Sequence, residues 1–207
     1  IVATPALNRI VEWNEAMHLP EALYNIEQWM RQQENAATKI TEQILQVNSF
    51  SHFLAVIFGI GILTGIGEEM IFRGVLQRIV QDKNHRAHVA VWICAFLFSA
   101  IHLQFYGFIP RLLLGAFFGY LLVWSKNLWL PIFAHLFNNS TVACISYFTN
   151  DKSPDNLIET VGTSGSPTSW LAGASLIGTV ILLYVLYKKV FVSKSKEFFP
   201  MEDKITP

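Results

Sequence analysis

The feature that most constrains this chain is the distribution of its charges. Four long stretches contain no Asp, Glu, Lys or Arg: residues 43–67, 87–110, 127–150 and 160–187. A helix that crosses the hydrocarbon core of a bilayer needs roughly 20 mainly apolar residues, and each stretch is long enough. No strand-like alternation of apolar residues competes with helices, and open sheet edges are not tolerated in lipid. The sequence therefore predicts helices that span a membrane.

The composition agrees with a membrane location. Apolar residues make up 52 % of the 207 residues and charged residues only 14 %, against about 25 % charged residues in soluble domains. The 15 basic and 15 acidic side chains balance to a net charge of zero, which argues against a nucleic-acid-binding protein. Both cysteines, Cys94 and Cys144, lie in apolar runs, so a disulfide-stapled secreted fold is not expected.

We predict an all-α fold, a polytopic transmembrane bundle of about five membrane helices preceded by an amphipathic helical segment. Four spans are placed near residues 50–80, 88–103, 128–148 and 170–192. A fifth, near residues 108–124, is interrupted only by an arginine close to its start. That arginine, Arg111, either extends its charge to the membrane surface or attracts a carboxylate of the substrate.

The predicted domain organisation has three parts. Residues 1–48, with apolar residues at helical spacing, form an amphipathic extramembrane segment or a helix on the membrane surface. Residues 49–192 form the transmembrane core, and residues 193–207 form a polar cytoplasmic tail. Because the chain begins at Ile1 and shows no signal-peptide pattern, we expect further transmembrane helices before it.

The basic residues predict the orientation, since Lys and Arg in short loops favour the cytoplasmic side. If the first span enters from outside, ten Lys and Arg residues fall on the inner side and four on the outer side. The C-terminus and the membrane-embedded polar groups then face the cytoplasm. This pattern is typical of a multi-pass protein of a bacterial plasma membrane.

Ionisable side chains inside the predicted spans are the candidate functional residues, because a charge in the bilayer is costly. They are Glu68 and Glu69, His102, and His135 with the polar Asn139 on the same helix face. With a rise of ~1.5 Å per residue, the three helices bring these groups to a similar depth. We therefore expect the side chains to converge.

Such a cluster is suited to hydrolysis. A glutamate and a histidine that share a water molecule can activate it as a nucleophile, the glutamate taking the proton. A second histidine with an asparagine can donate hydrogen bonds to the oxyanion of a tetrahedral intermediate. Glu69 and Arg73 have the i,i+4 spacing of an ion pair. This spacing assigns Glu69 an anchoring role and leaves Glu68 as the free carboxylate.

At these positions the sequence resembles the CPBP family, named for CAAX proteases and bacteriocin-processing enzymes and also called the Abi family of intramembrane proteases. The family carries the motifs EExxxR, FxxxH and HxxxN. Here they stand as EEMIFR at residues 68–73, FSAIH at 98–102 and HLFNN at 135–139. All three motifs are intact and in order.

The resemblance implies a membrane endopeptidase similar to the Ras-converting enzyme that cleaves prenylated CAAX proteins. By that analogy Glu68 is the general base, and His102 positions the water. His135 and Asn139 form the oxyanion hole, while the Glu69–Arg73 pair has a supporting role. The expected partners are membrane lipids and a peptide or protein substrate of unknown identity, with no nucleic acid.

The need for a metal stays open at this point. The family was first described as metal-dependent, and Glu68, His102 and His135 would be the ligands of a Zn²⁺ ion with an open fourth position. The sequence has no HExxH motif, which would be a stronger metal signal. We therefore expect no cofactor and a reaction that depends on glutamate.

Two other functions fit the same residues. One is a non-enzymatic membrane scaffold or bacteriocin-immunity protein that keeps the polar cluster as a structural core. The other is a proton-coupled transporter, since Glu and His side chains also relay protons. A transporter predicts broken helices in pairs and repeat symmetry, and the sequence shows neither.

Overall fold

The computed structural model describes residues 2–84, 86–149 and 160–188. Throughout these ranges the regular structure is helical, without a strand. The all-α prediction is therefore confirmed for the described part of the chain. The predicted cytoplasmic tail, residues 193–207, lies outside it, as does the predicted end of the last span.

Seven helices of more than one turn follow one another along the described residues. They are α1 (Thr4–Glu15), α2 (Tyr24–Leu45), α3 (the consecutive segments Phe50–Val56, Ile57–Leu63, Thr64–Glu69, Met70–Leu76 and Gln77–Asn84), α4 (Ala87–Ala100), α5 (Phe108–Ser125), α6 (Trp129–Thr149) and α7 (Trp170–Val185).

Three of these helices are long and apolar enough to cross a membrane. They are the stretches Phe50–Gln81, Phe108–Ser125 and Trp170–Lys188, and they correspond to three of the five predicted spans. Helix α4, Ala87–Ala100, is apolar but shorter. Helix α6 is long enough, with 21 residues, but carries the polar run of His135 to Thr141 through its middle.

Helix α4 ends earlier than the sequence predicts. The sequence predicts that the second span continues to residue 103, but α4 ends at Ala100 and residues 101–103 form a turn. Leu103 takes a left-handed backbone conformation with φ of 53°, which a helix does not continue through. The prediction was wrong here, and His102 lies in a turn between two helices.

Helix α3 changes its winding on both sides of the two adjacent glutamates. Two π-helical segments, Ile57–Leu63 and Met70–Leu76, flank the α-helical segment Thr64–Glu69. Such wider turns are rare and occur frequently at functional sites. Because a π-helical turn contains more residues than an α-helical turn, the side chains of α3 point in directions that a period of 3.6 residues per turn does not predict.

The chain divides into two compact units. One comprises residues Ile1–Arg9 with Ile158–Pro207, and the other comprises residues Ile10–Leu157. In the first unit Ser175 Oγ accepts the N–H of Ala6 at 3.2 Å, and Asn8 Nδ2 donates to the carbonyl of Val161 at 3.0 Å. The second unit contains α2 to α6 and all the candidate functional residues.

Within the second unit, α3 packs against α4 and α6, and α5 packs against α4 and α6. The contact of α3 with α6 depends on Gly65. A Cβ atom added to Gly65 would lie 3.2 Å from the backbone nitrogen of Leu136 and 3.4 Å from its Cα. Since Leu136 follows His135, this close approach determines how near His135 comes to the glutamates of α3.

We expect Gly65→Ala to lower the free energy of unfolding by roughly 1–3 kcal/mol, as overpacking does. The added methyl group meets backbone atoms of α6, which move less easily than a side chain. Thermal unfolding of the purified protein in detergent measures the effect.

Gly67→Ala is the matched control for this experiment, because nothing lies within 4 Å of a Cβ atom at Gly67. This second substitution should leave stability unchanged or raise it by up to roughly 1 kcal/mol, since alanine is the better helix former. Equal melting temperatures for the two variants would show that α3 and α6 are not in close contact at Gly65.

Candidate active site

Glu68, His102 and His135 come together beside α3. Glu68 Oε1 lies 3.9 Å from His102 Nε2, and Glu68 Oε2 lies 3.8 Å from His135 Nε2. Both distances exceed the 2.7–3.2 Å of a direct hydrogen bond. The side chains of Glu68 and His102 are 24 % and 27 % exposed, whereas His135 is buried. The structure thus forms a partly open polar site from α3, α6 and the turn after α4.

The motif phenylalanine Phe98 holds the His102 ring. His102 Nδ1 lies 2.7 Å from the carbonyl oxygen of Phe98, and the two ring centroids are 5.1 Å apart in an edge-to-face arrangement. Since a carbonyl oxygen only accepts, the proton of this hydrogen bond belongs to Nδ1. In the neutral ring, Nε2 therefore presents a lone pair toward Glu68.

The second glutamate has a different environment. Glu69 is fully buried, and its Oε1 accepts hydrogen bonds from Arg73 Nη1 at 2.9 Å and from His135 Nδ1 at 2.8 Å. Arg73, also fully buried, donates through Nη2 to the carbonyl of Gly115 at 2.7 Å. The predicted ion pair therefore forms, and it joins α3 to both α5 and α6.

Two buried residues that the sequence motifs do not include, Gln77 and Phe118, lie beside this network. Gln77 is fully buried, one turn after Arg73, and its Nε2 donates to the carbonyl of Gly119 at 3.2 Å. The ring of Phe118 stacks on His135, with centroids 4.9 Å apart. The position of Gln77, at i,i+4 from Arg73 within a predicted span, was the signal available in the sequence.

Asn139 is directed toward a different partner. Its Nδ2 donates to the carbonyl oxygen of Ile60 at 3.2 Å, inside the first π-helical segment of α3. Its Oδ1 lies 3.4 Å from Nδ2 of Asn138. One amide hydrogen of Asn139 is thus used between helices, and its part in an oxyanion hole stays a prediction.

Arg111 lies in the first turn of α5 and interacts with neutral groups. Its Nη2 donates to Oε1 of Gln104 at 2.6 Å. No carboxylate among the described residues lies within ion-pair distance of it. Because Gln104 follows His102 by two residues, Arg111 is fastened to the turn that carries His102.

Glu68, His102 and His135 are the three side chains that would hold a Zn²⁺ ion. In the described ranges, no group of three or more His, Cys, Asp or Glu side chains is arranged to hold a metal ion. Zinc ligands lie about 2.0–2.2 Å from the ion when nitrogen and oxygen donate. A reaction without a metal therefore stays a prediction.

Residues 50–141 match the family model of Rce1-like proteins, described as type II CAAX prenyl endopeptidase Rce1-like. This segment is similar to the Rce1-like family. All three motifs lie within the matched residues, so the resemblance inferred from them is confirmed. The match leaves out α1, α2 and α7, which lie before and after these residues.

A similar curated protein is the uncharacterized protein YpbD of Bacillus subtilis (strain 168). It is 29 % identical over 109 residues, which cover 51 % of this chain and 51 % of YpbD. The chain thus spans about half the length of the curated relative it matches. No solved structure matches the chain.

The buried network predicts that replacing Glu69 destabilises the protein more than replacing Glu68 does. Glu69→Gln leaves the buried Arg73 charge without its carboxylate partner, so the free energy of unfolding should fall by roughly 3–5 kcal/mol. Thermal unfolding in detergent is the measurement.

Glu68→Gln is the matched control, the same substitution one residue earlier. Glu68 is partly exposed and forms no contact shorter than 3.8 Å with the two histidines, so its replacement should change the melting temperature little. A Glu68→Gln variant as unstable as Glu69→Gln would contradict the division between a structural and a free carboxylate.

Proposed function

We propose that this chain is an intramembrane endopeptidase that hydrolyses a peptide bond with a water molecule activated by Glu68. The observation that carries this proposal is the partly exposed Glu68 side chain, whose carboxylate oxygens lie 3.8–3.9 Å from the Nε2 atoms of His102 and His135. The Rce1-like match of residues 50–141 supports activity of the CAAX endopeptidase type.

The geometry supports activation of a water molecule by Glu68 and His102. A carboxylate oxygen and an unprotonated Nε2 are both acceptors, so they have no hydrogen to share with each other. A water molecule supplies one hydrogen to each of them, and contacts of this length are often bridged by water. When its oxygen attacks the peptide carbonyl, Glu68 takes a proton and then delivers it to the departing amine nitrogen.

The oxyanion is stabilised by His135 in this proposal. Its Nδ1 hydrogen is used by Glu69 at 2.8 Å, so a hydrogen bond from Nε2 to the oxyanion requires a second proton on the ring. The buried Glu69 carboxylate, which accepts the Nδ1 hydrogen, holds the ring with Nε2 toward Glu68. Asn139 supplies a second donor with the amide hydrogen that Ile60 does not use.

A membrane scaffold is the second candidate, and the network around Glu69 favours it. Glu69, Arg73 and His135 are buried and bonded to one another, as a structural polar core requires. Glu68 and His102 do not fit that interpretation as well. Both are partly exposed, and the nearest approach between them is 3.9 Å, so they add little to packing.

We also propose that the active site and the C-terminus face the cytoplasm of a bacterial cell, in its plasma membrane. The excess of basic residues on the inner side supports this orientation. The similarity to a Bacillus protein supports a bacterial source. The partners proposed are membrane lipids and a peptide or protein substrate.

We expect Glu68→Gln to lower kcat for a fluorogenic prenylated CAAX peptide by at least roughly 10²-fold, the contribution of a general base. The assay uses the purified chain in detergent and in vesicles. Glu42→Gln, at an exposed position of α2, is the matched control and should keep full activity.

Full activity of a folded Glu68→Gln variant would overturn the mechanism. The scaffold alternative predicts a different result, in which Glu68→Gln and His102→Gln lower the melting temperature and the wild type hydrolyses no peptide.

Metal removal gives a separate prediction. Hydrolysis should persist after treatment with 1,10-phenanthroline, and elemental analysis of active protein should find less than one zinc per chain, because the proposed nucleophile is activated by carboxylate and imidazole. Loss of activity on chelation, with recovery on addition of Zn²⁺, would contradict the metal-independent mechanism.

A further inference from the structure

The turn that carries His102 is part of a connection between α4 and α5, and side chains from other parts of the chain hold this connection in place. Residues 101–107 link the two helices. At the end of α4, the buried Ser99 donates through Oγ to the carbonyl of Phe108 at 2.8 Å. Arg111 of α5 donates to Gln104 of the same connection. Further groups that bind it come from α1 and α2, which precede the residues matched by the family model.

Asn14 of α1 holds the second half of the connection. It is only 3 % exposed. Its Nδ2 donates to the carbonyl of Phe105 at 3.2 Å, and its Oδ1 accepts the N–H of Ile109 at 2.9 Å. One buried side chain is therefore bonded to the backbone of the α4–α5 connection and to that of the first turn of α5.

The contact with Ile109 replaces a helix cap that the sequence of α5 does not supply. The first N–H groups of a helix have no partner within it and are commonly satisfied by a side chain at the N-cap. The N-cap residue of α5 is Gly107, which makes no such bond. Asn14 provides the missing acceptor from a different helix.

Helix α2 holds the same connection at a second point. Glu34 Oε2 accepts the N–H of Tyr106 at 3.0 Å. The guanidinium carbon of Arg31 lies 4.4 Å from the centroid of the Tyr106 ring, a cation–π contact. The rings of Trp29 and Phe105 lie 5.4 Å apart. Two consecutive residues of the connection are thus fixed by α2.

Arg31 is itself held by an ionised partner. Its Nε and Nη2 donate to Glu27 Oε1 at 3.0 and 2.7 Å. Hydrogen bonds from Arg31, and then from the N–H of Leu19 and from His18, lower the pKa of the Glu27 carboxyl to about 2. Glu27 therefore stays charged at neutral pH, and Arg31 stays in place over Tyr106.

We propose that the segment of residues 10–48 positions His102 for catalysis by holding the α4–α5 connection, with Asn14 and Glu34 as positioning residues. This inference rests on the proposed function, in which His102 orients the attacking water. It assigns the extramembrane helices a part in the active site although neither residue touches Glu68 or the histidines.

The test replaces Asn14 and Glu34 in the full chain. Asn14→Ala removes both hydrogen bonds, and misplacement of His102 should lower kcat roughly 10- to 100-fold, the size of effect known for a displacement near 1 Å. KM should change by less than about twofold, because substrate binding is not altered. Gln32→Ala, at an exposed position of α2, is the control and should match the wild type.

Glu34 gives a pair of variants that separates positioning from general destabilisation. Glu34→Gln keeps an oxygen that accepts the N–H of Tyr106 and should retain kcat. Glu34→Ala removes the acceptor and should lower kcat as Asn14→Ala does. If Asn14→Ala fails to fold, this pair decides the question. Equal kcat for Glu34→Ala and Glu34→Gln, in folded protein, would overturn the inference.

Hydrogen–deuterium exchange tests the same contacts without an activity assay. The amides of Tyr106 and Ile109 should exchange faster in Glu34→Ala and Asn14→Ala, respectively, than in the wild type. Faster exchange with unchanged kcat would overturn the positioning role and leave the proposed function standing. A folded wild type that hydrolyses no peptide would overturn the proposed function itself. Exchange would then still report whether α1 and α2 hold the connection.

Discussion

The fully buried ion pair of Glu69 and Arg73 is the interaction on which the rest of the site depends. A charge in the interior of a helical bundle is tolerated only when it is paired and hydrogen-bonded. Here Arg73 and His135 donate to one carboxylate oxygen of Glu69, and Arg73 also donates to the carbonyl of Gly115. Satisfying one buried charge thereby fixes α3 against α5 and α6.

The same network gives two adjacent glutamates opposite environments. Successive residues of a helix point about 100° apart, so Glu69 faces the core while Glu68 faces the partly open site. Glu69 makes two short hydrogen bonds, and Glu68 has two imidazoles at 3.8–3.9 Å. Two carboxylates in such different environments can take different roles. Here Glu69 has the environment of a structural group, and Glu68 has that of a group available for chemistry. His135 belongs to both halves, with Nδ1 toward Glu69 and Nε2 toward Glu68.

The site extends beyond the segment matched by the family model. His102 lies in a turn, and a turn gains its rigidity from whatever binds its backbone. Asn14 and Glu34 bind that backbone from helices that precede residue 50. Helices α3 and α6 and the turn after α4 therefore supply the polar groups, and α1 and α2 supply contacts that hold one of them.

The sequence by itself determined the helices, their number in the core and the ion pair of Glu69 with Arg73. The length of a stretch without charges and the i,i+4 spacing of two residues are properties of a single helix, so the sequence contains them directly. Only the tertiary structure decided the rest. The end of α4 is followed by one residue in a left-handed conformation, Leu103. The direction in which each side chain of α3 points depends on two π-helical segments. The bond of Asn139 to Ile60 and that of Asn14 to Ile109 join residues 79 and 95 positions apart. Partners at such separations are set by how the helices pack, and no local spacing encodes them.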